Sequence, residues 1–202
     1  MEIYNLTPIV TPILIAEGLS LKDAENYCER AYKDFSELKD LLPPNKKQVI
    51  EIGSSWGLHA VYLSRHYSPE TEFILIDGEK TIRKPHTGFR ENTQPYRDGR
   101  IGLRLMGEFK ALATFVPVDK ETTRLTFPGT DLIVSFCAWN HHFPTFTYLP
   151  MVQSSLIPGG HIITDIRTGT NGLDQMRVAG FRVEQIIRRK SKYTRYLFSK
   201  LQ

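Results

Sequence analysis

Four strand ends in this 202-residue chain carry side chains able to do chemistry. In Val49-Ile50-Glu51-Ile52-Gly53-Ser54-Ser55-Trp56-Gly57, a β-branched run ends abruptly in glycines and hydroxyls, with an acid two residues before the first glycine. That is a strand feeding a ligand loop: Gly53 and Gly57 bracket a turn whose backbone bends tightly or approaches a ligand closely. Asp77 closes the apolar run Thr71 to Asp77 near the ~20-residue spacing from Gly53 at which a carboxylate can accept hydrogen bonds from a ribose diol. Adjacent histidines, His141 and His142, follow the run Leu132-Ile133-Val134-Ser135, where an imidazole can take a proton from an alcohol or phenol near neutral pH. Asp165 ends Ile162-Ile163-Thr164 and could orient a histidine, bind a hydroxyl or help hold a divalent ion; pairing with Arg167 or capping the following turn fits it equally.

None of these signals is specific alone. A strand-Gly-x-x-x-Gly-helix passage occurs wherever a parallel strand turns into a helix, and the dinucleotide pattern Gly-x-Gly-x-x-Gly is absent because Ser55 fills its second glycine position. A metal needs several hard ligands converging, and Asn140, His141, His142 and Asp165 supply only candidates, so no metal is assigned. Cys28 and Cys137 lie far apart without metal-ligand spacing, which suits packing residues of a reduced cytoplasmic protein.

The acidic-x-Gly-x-x-x-Gly pattern and Asp77 resemble the class I S-adenosylmethionine (SAM) dependent methyltransferases. So do the passage from Leu125 to Ser135 and the Leu156-Ile157-Pro158-Gly159-Gly160 turn that enters an apolar strand. The resemblance covers residues 48–202. It implies that the loop of Gly53, Ser54, Ser55 and Gly57 passes under the methionine part of SAM, with Glu51 near its amino end. It further implies that Asp77 grips the ribose hydroxyls, that Asp119, or Glu121 beside it, meets the adenine amino group, and that Phe136 joins the cofactor-binding set. The middle glycine usual in the family is Ser55 here, and Asp131 is a strand-start residue rather than a catalyst. The family's amino-methylating Asp/Asn-Pro-Pro-Tyr/Phe signature is not matched, since two histidines follow Asn140.

The tract from Trp139 to Arg167 looks most like a group of sugar O-methyltransferases. The implied activity is O-methylation of a hydroxylated small molecule such as a sugar, with His141 or His142 as base and Asp165 as orienter or substrate ligand. Family members also carry histidine or asparagine at this place as capping and packing groups. The alternatives are N-methylation of a small amine or nucleic-acid base, and a SAM-binding sensor or subunit without transfer activity.

The length of the chain suits one domain. The resemblance implies that residues 1–47 form a helical cap and 48–202 a Rossmann-like three-layer α/β core whose sheet has seven mostly parallel strands, the last antiparallel. Ile3 to Ile15 reads as an irregular arm or short helix. Ser20 to Leu42 reads as an amphipathic helix ended by Pro43-Pro44, with its tyrosines and Phe35 turned to the core. Phe115 to Asp119 is expected to close the third strand, Thr147 to Leu156 to form a helix, and Phe181 to Arg188 and Tyr193 to Lys200 to form a closing hairpin. The basic residues Arg83, Lys84, His86, Arg90, Arg97, Arg100 and Arg104, and the cluster Arg188-Arg189-Lys190 with Lys192 and Arg195, read as solvated charge. A net charge of +4 permits an anionic substrate or nucleic acid without indicating either, and no apolar run approaches the ~20 residues of a membrane span. The partner that the resemblance implies is a small-molecule methyl acceptor.

Overall fold

The computed structural model of the chain describes residues 5–80, 97–119 and 121–201. Arg83, Lys84, His86 and Arg90 lie outside these residues. Helices α1 (Thr7–Ala16) and α2 (Leu21–Leu38) precede β1 (Gln48–Ile52), α3 (Leu58–His66) and β2 (Glu72–Asp77). Then come α4 (Arg100–Glu108), β3 (Leu112–Pro117), β4 (Thr130–Ser135) and α5 (Thr145–Ser155). The chain continues through β5 (Leu156–Arg167), α6 (Gly172–Val178), β6 (Phe181–Arg189) and β7 (Tyr193–Lys200).

The seven strands form one sheet in the order β3-β2-β1-β4-β5-β7-β6. Strands β1 to β5 pair in parallel, and β7 runs antiparallel to both β5 and β6. The expected Rossmann-like sheet with an antiparallel final strand is therefore present. Side chains alternate between two apolar layers, as the strand period of two requires. Val49, Phe73, Leu75, Leu132, Val134, Ile163 and Leu197 share one cluster with α1 to α4. Ile50, Ile52, Ile74, Ile76, Ile133, Ile162 and Phe198 share the other with α5 and α6.

Several boundaries differ from the sequence reading. The N-terminal arm takes the helical of its two expected forms, over Thr7–Ala16 rather than Ile3 to Ile15, with proline at its start where a missing N–H costs nothing. Ser20 caps α2 by accepting the Asp23 N–H at 3.1 Å, but the helix ends at Leu38, four residues short of the expected Leu42. Strand β3 ends at Pro117 rather than Asp119, because its register with β2 pairs Asp77 with Pro117 and leaves Asp119 beyond the sheet. Tyr32 is exposed rather than core-facing, whereas Phe35 is buried. No helix among the described residues is long and apolar enough to cross a membrane.

The strand order reverses between β1 and β4, so their connections leave in opposite directions and a crevice opens at their carboxyl ends. On the α1–α4 side of the sheet, the same alternation that buries Val49 and Leu75 aims Glu51, Asp77, Asp165 and Arg195 toward α2 and α3.

Candidate active site

The glycine loop is fitted to its neighbours at backbone level. Gly53 has φ 74°, and a Cβ there would come within 2.1 Å of the Ala138 Cβ, so the loop after β1 packs directly on the bend after β4. Gly57, also left-handed with φ 72°, starts α3 against Gly102, whose Cα lies 2.7 Å from where a Cβ would stand. Ser55 between them is left-handed too, at φ 52°, a costly conformation outside glycine. Its side chain explains its presence: Ser55 Oγ accepts a hydrogen bond from the Tyr27 hydroxyl at 3.0 Å, joining the loop to α2.

Asp77 organises the same loop. Its Oδ2 accepts the Ser55 N–H at 2.5 Å and its Oδ1 accepts the Gly78 N–H at 2.7 Å. Burial pushes its carboxyl up to about 6, with the backbone hydrogen bonds opposing the rise. The Tyr27 phenol is likewise raised, to about 12, chiefly by burial. Trp56 packs edge-on against Tyr27 at 5.0 Å and carries the Arg97 guanidinium 4.3 Å above its ring.

These groups border a cavity of about 500 Å³ between α2 and the strand ends. Gly53, Ser55, Asp77, Phe136 and His142 line it. So do Tyr27, Asp34, His59, Arg188 and Tyr193, none of which the sequence had marked as site residues.

A network of buried charges forms the cavity floor. His59 Nε2 lies 3.4 Å from Asp34 and its Nδ1 lies 3.5 Å from the buried Glu51. Burial disfavours the imidazolium, but the two carboxylates outweigh it and raise His59 to about 9. Asp34 also meets Arg188 at 2.7 Å and Arg195 at 3.2 Å, and these partners with His59 hold its carboxyl well below the usual range against the opposing effect of burial. Phe136 lies between two of the cations, its ring 4.4 Å from the His59 ring and 4.5 Å from the Arg195 guanidinium carbon. Arg188 and Arg195 are thus paired inside the protein, not solvated as their sequence context had suggested.

The bend after β4 holds the histidines. Ser135 Oγ donates to the Ile52 carbonyl at 2.9 Å and accepts the Trp139 N–H at 2.9 Å, locking the bend to β1. Asn140 is fully buried at φ 65°, and its carbonyl accepts the Arg167 N–H at 3.0 Å. The His141 and His142 rings meet edge to face at 4.7 Å. Burial, and beyond it the neighbouring His142 and Arg167, lowers His141 to about 4; burial and Arg167 lower His142 as well. Both rings are neutral at pH 7, and only His142 lines the cavity.

The remaining predicted residues fall outside the cavity lining. Glu51 accepts the Ala60 N–H at 3.1 Å and faces His59. Ser54 is buried with its hydroxyl unpartnered among the described residues. Asp119 is exposed and accepts the Glu121 and Thr122 N–H groups at 2.8 and 2.7 Å, forming a turn. Asp165 is fully buried and hydrogen-bonds Arg195 and the Cys137 N–H; it pairs with Arg195 rather than Arg167 because the two sit opposite each other on β5 and β7. Cys137, expected to be packing, borders the cavity and donates its thiol to Asp165 at 3.4 Å. Asp131 starts β4 as expected, accepting the Lys47 and Gln48 N–H groups. Among the described residues, no group of three or more His, Cys, Asp or Glu side chains is arranged to hold a metal ion.

The sheet order, the inserted antiparallel strand and the glycine loop at the switch point define a Rossmann-like methyltransferase fold. No family model matches the sequence, and no curated protein matches it. Solved structures do share the fold. An S-adenosylmethionine dependent methyltransferase assigned in Listeria monocytogenes aligns over 86% of this chain and 99% of its own, at TM-score 0.60 and 13% identity. Ribosomal protein L11 methylase from Lactobacillus delbrueckii subsp. bulgaricus aligns over 83% and 76%, at TM-score 0.59 and 11% identity. Aeropyrum pernix fibrillarin, solved with natively bound S-adenosyl-L-methionine, aligns over 78% and 68%, at TM-score 0.56 and 12% identity. At such identities the likeness is one of fold.

Proposed function

We propose that the chain is a SAM-dependent methyltransferase that methylates a hydroxyl oxygen of a small molecule such as a sugar. The observation that carries this reading is Asp77 at the cavity edge, with one backbone N–H on each carboxylate oxygen. Each oxygen keeps acceptor capacity for a ribose hydroxyl. The cavity of about 500 Å³ is of the size that encloses a cofactor-sized ligand, and Gly53, Phe136 and the Asp77 acceptor line it. The residues present therefore fit SAM. When bound, SAM supplies a methyl carbon already made electrophilic by its sulfonium.

The chain's own contribution is to hold donor and acceptor in line and to take the acceptor's proton. His142 suits the proton transfer, since it lines the cavity and burial with Arg167 lowers its imidazole, keeping it neutral near pH 7. His141 packs behind it, between His142 and Tyr193. Asp165 acts at one remove, as a positioning residue that fixes Arg195 beside Phe136. The unpaired cysteines suit a reducing, cytoplasmic setting.

Calorimetry with SAM and its demethylated product tests the cofactor, with binding expected at a Kd of about 1–100 μM. Labelled methyl transfer to a panel of sugars, phenols and amines tests the acceptor class. Absence of SAM binding rejects the reading, and transfer to amines alone rejects O-methylation.

A further inference from the structure

Apart from Arg97, which stacks on Trp56, the cations around the cavity divide into two sets. On the floor, every cation is committed: Arg195 to Asp165 and Asp34, Arg188 to Asp34 and Glu37, and His59 to Asp34 and Glu51. Nearer the mouth, Arg30 and Lys33 of α2 and Lys190 of the turn between β6 and β7 line the same cavity. These three are exposed, and none of them forms an ion pair with a described residue. The Nε of Arg30 donates to its own helix at the Asn26 carbonyl, which leaves the rest of its guanidinium fork open.

Their placement separates them from an ordinary solvated charge run. Residues three apart on a helix share a face, so α2 directs Arg30 and Lys33 to one wall. Lys190 reaches the same opening from a turn near the far end of the sequence. The carboxylates that line the cavity, Asp34 and Asp77, are already engaged by cations or backbone N–H groups. A cofactor with a sulfonium and an ammonium against one carboxylate brings net positive charge, which adds to the excess instead of offsetting it.

We infer that the molecule seated beside the cofactor is a small anion: a hydroxylated compound carrying a phosphate or carboxylate, whose charged end is held at the cavity mouth by Arg30, Lys33 and Lys190. The arginine fork supplies paired donors in one plane and the lysines supply point charges, the combination that suits such oxygens. Identifying this anion as the methyl acceptor rests on the methyltransferase reading; the anion site itself does not.

The test is a calorimetric titration of the full chain with glucose 6-phosphate, gluconate and glucose, with and without S-adenosylhomocysteine. Lys33→Ala, Lys190→Ala and the double variant are titrated alongside, with thermal melting to confirm that these exposed substitutions leave the fold intact. At least one of the two anions should bind where glucose does not, and their ratio distinguishes phosphate from carboxylate. The double variant should weaken that anion by about tenfold or more, while affinity for S-adenosylhomocysteine stays within about twofold. If neither anion binds, if glucose binds as well as the anions, or if the double variant binds them unchanged, the inference is overturned. Displacement of the anion by a single-stranded oligonucleotide with steep salt dependence assigns the mouth to nucleic acid and also overturns it. Loss of S-adenosylhomocysteine binding alone, with anion binding intact, removes the methyltransferase reading and leaves the anion site standing.

Discussion

Arg195 and Asp165 form a bidentate pair entirely out of solvent, Nε to Oδ1 at 2.7 Å and Nη2 to Oδ2 at 2.8 Å, directly across the β5–β7 ladder. Two charges can be buried here because each satisfies the other and because Asp34 and the Cys137 N–H take up remaining valences. Removing one partner leaves the other stranded. Arg195→Met and Asp165→Leu should each cost about 3–5 kcal/mol, and the double variant less than their sum. Urea unfolding of the four proteins measures this; additive losses would show that the pair is not coupled.

His59 makes the protein sensitive to alkali. Its folded value of about 9 lies above the ordinary 6.5, so the stabilisation from Asp34 and Glu51 is fully present below 6.5 and is lost as pH rises through about 9. The loss should be on the order of 2–3 kcal/mol. His59→Gln should unfold at a urea midpoint that is lower at pH 6 but nearly level between pH 6 and 9, unlike the falling midpoint of the unaltered chain.

Gly53→Ala should destabilise by about 2–5 kcal/mol, through a left-handed backbone and overlap with Ala138. Ala138→Gly in the same chain should recover only part of the loss, since it removes the overlap but not the strain. Full recovery would place the whole cost in the contact.

Asp77→Ala should weaken SAM binding by about 10- to 100-fold, the cost of losing hydrogen bonds to a charged acceptor. The carboxyl's raised value of about 6 sets a pH window. The folded state holds a proton that the unfolded state releases near 3.8, so this group's contribution to stability falls as pH rises from 3.8 to about 6. Ribose binding favours the ionised form, so affinity should decline as pH drops through 6. A flat affinity between pH 5 and 8 would count against Asp77 as the ribose acceptor.

His142→Ala should lower turnover by about 10²–10⁴-fold with SAM affinity preserved. His141→Ala should act mainly through packing, with a smaller effect on turnover and a lowered melting temperature. The reverse ranking would move the proton acceptor to His141.

Much of the sheet was legible because its causes are local. The β-branched run at Val49, the acid at Asp77 and the hairpin around Lys190-Ser191-Lys192 each carry their conformational reason within a few residues. The cavity wall was less legible. Helical periodicity correctly put Tyr27 on the inward face of α2, but it does not tell a packed interior from a cavity. Arg195 looked like part of a turn-borne basic cluster because its partners, Asp34 and Asp165, are separated from it by 161 and 30 residues. Asp119 fell outside the cavity for a positional reason: the register with β2 ends β3 at Pro117.

The threading of β7 between β5 and β6 also orders events in time. During synthesis, Asp34 and His59 leave the ribosome long before Arg195, which follows Asp34 by 161 residues. Until that guanidinium arrives, Asp165 lacks its bidentate partner, and the cavity lacks the part of its wall that Tyr193 supplies. Closure of the site waits on β7, so that capacity to retain a ligand is itself a sign that the sheet has been assembled.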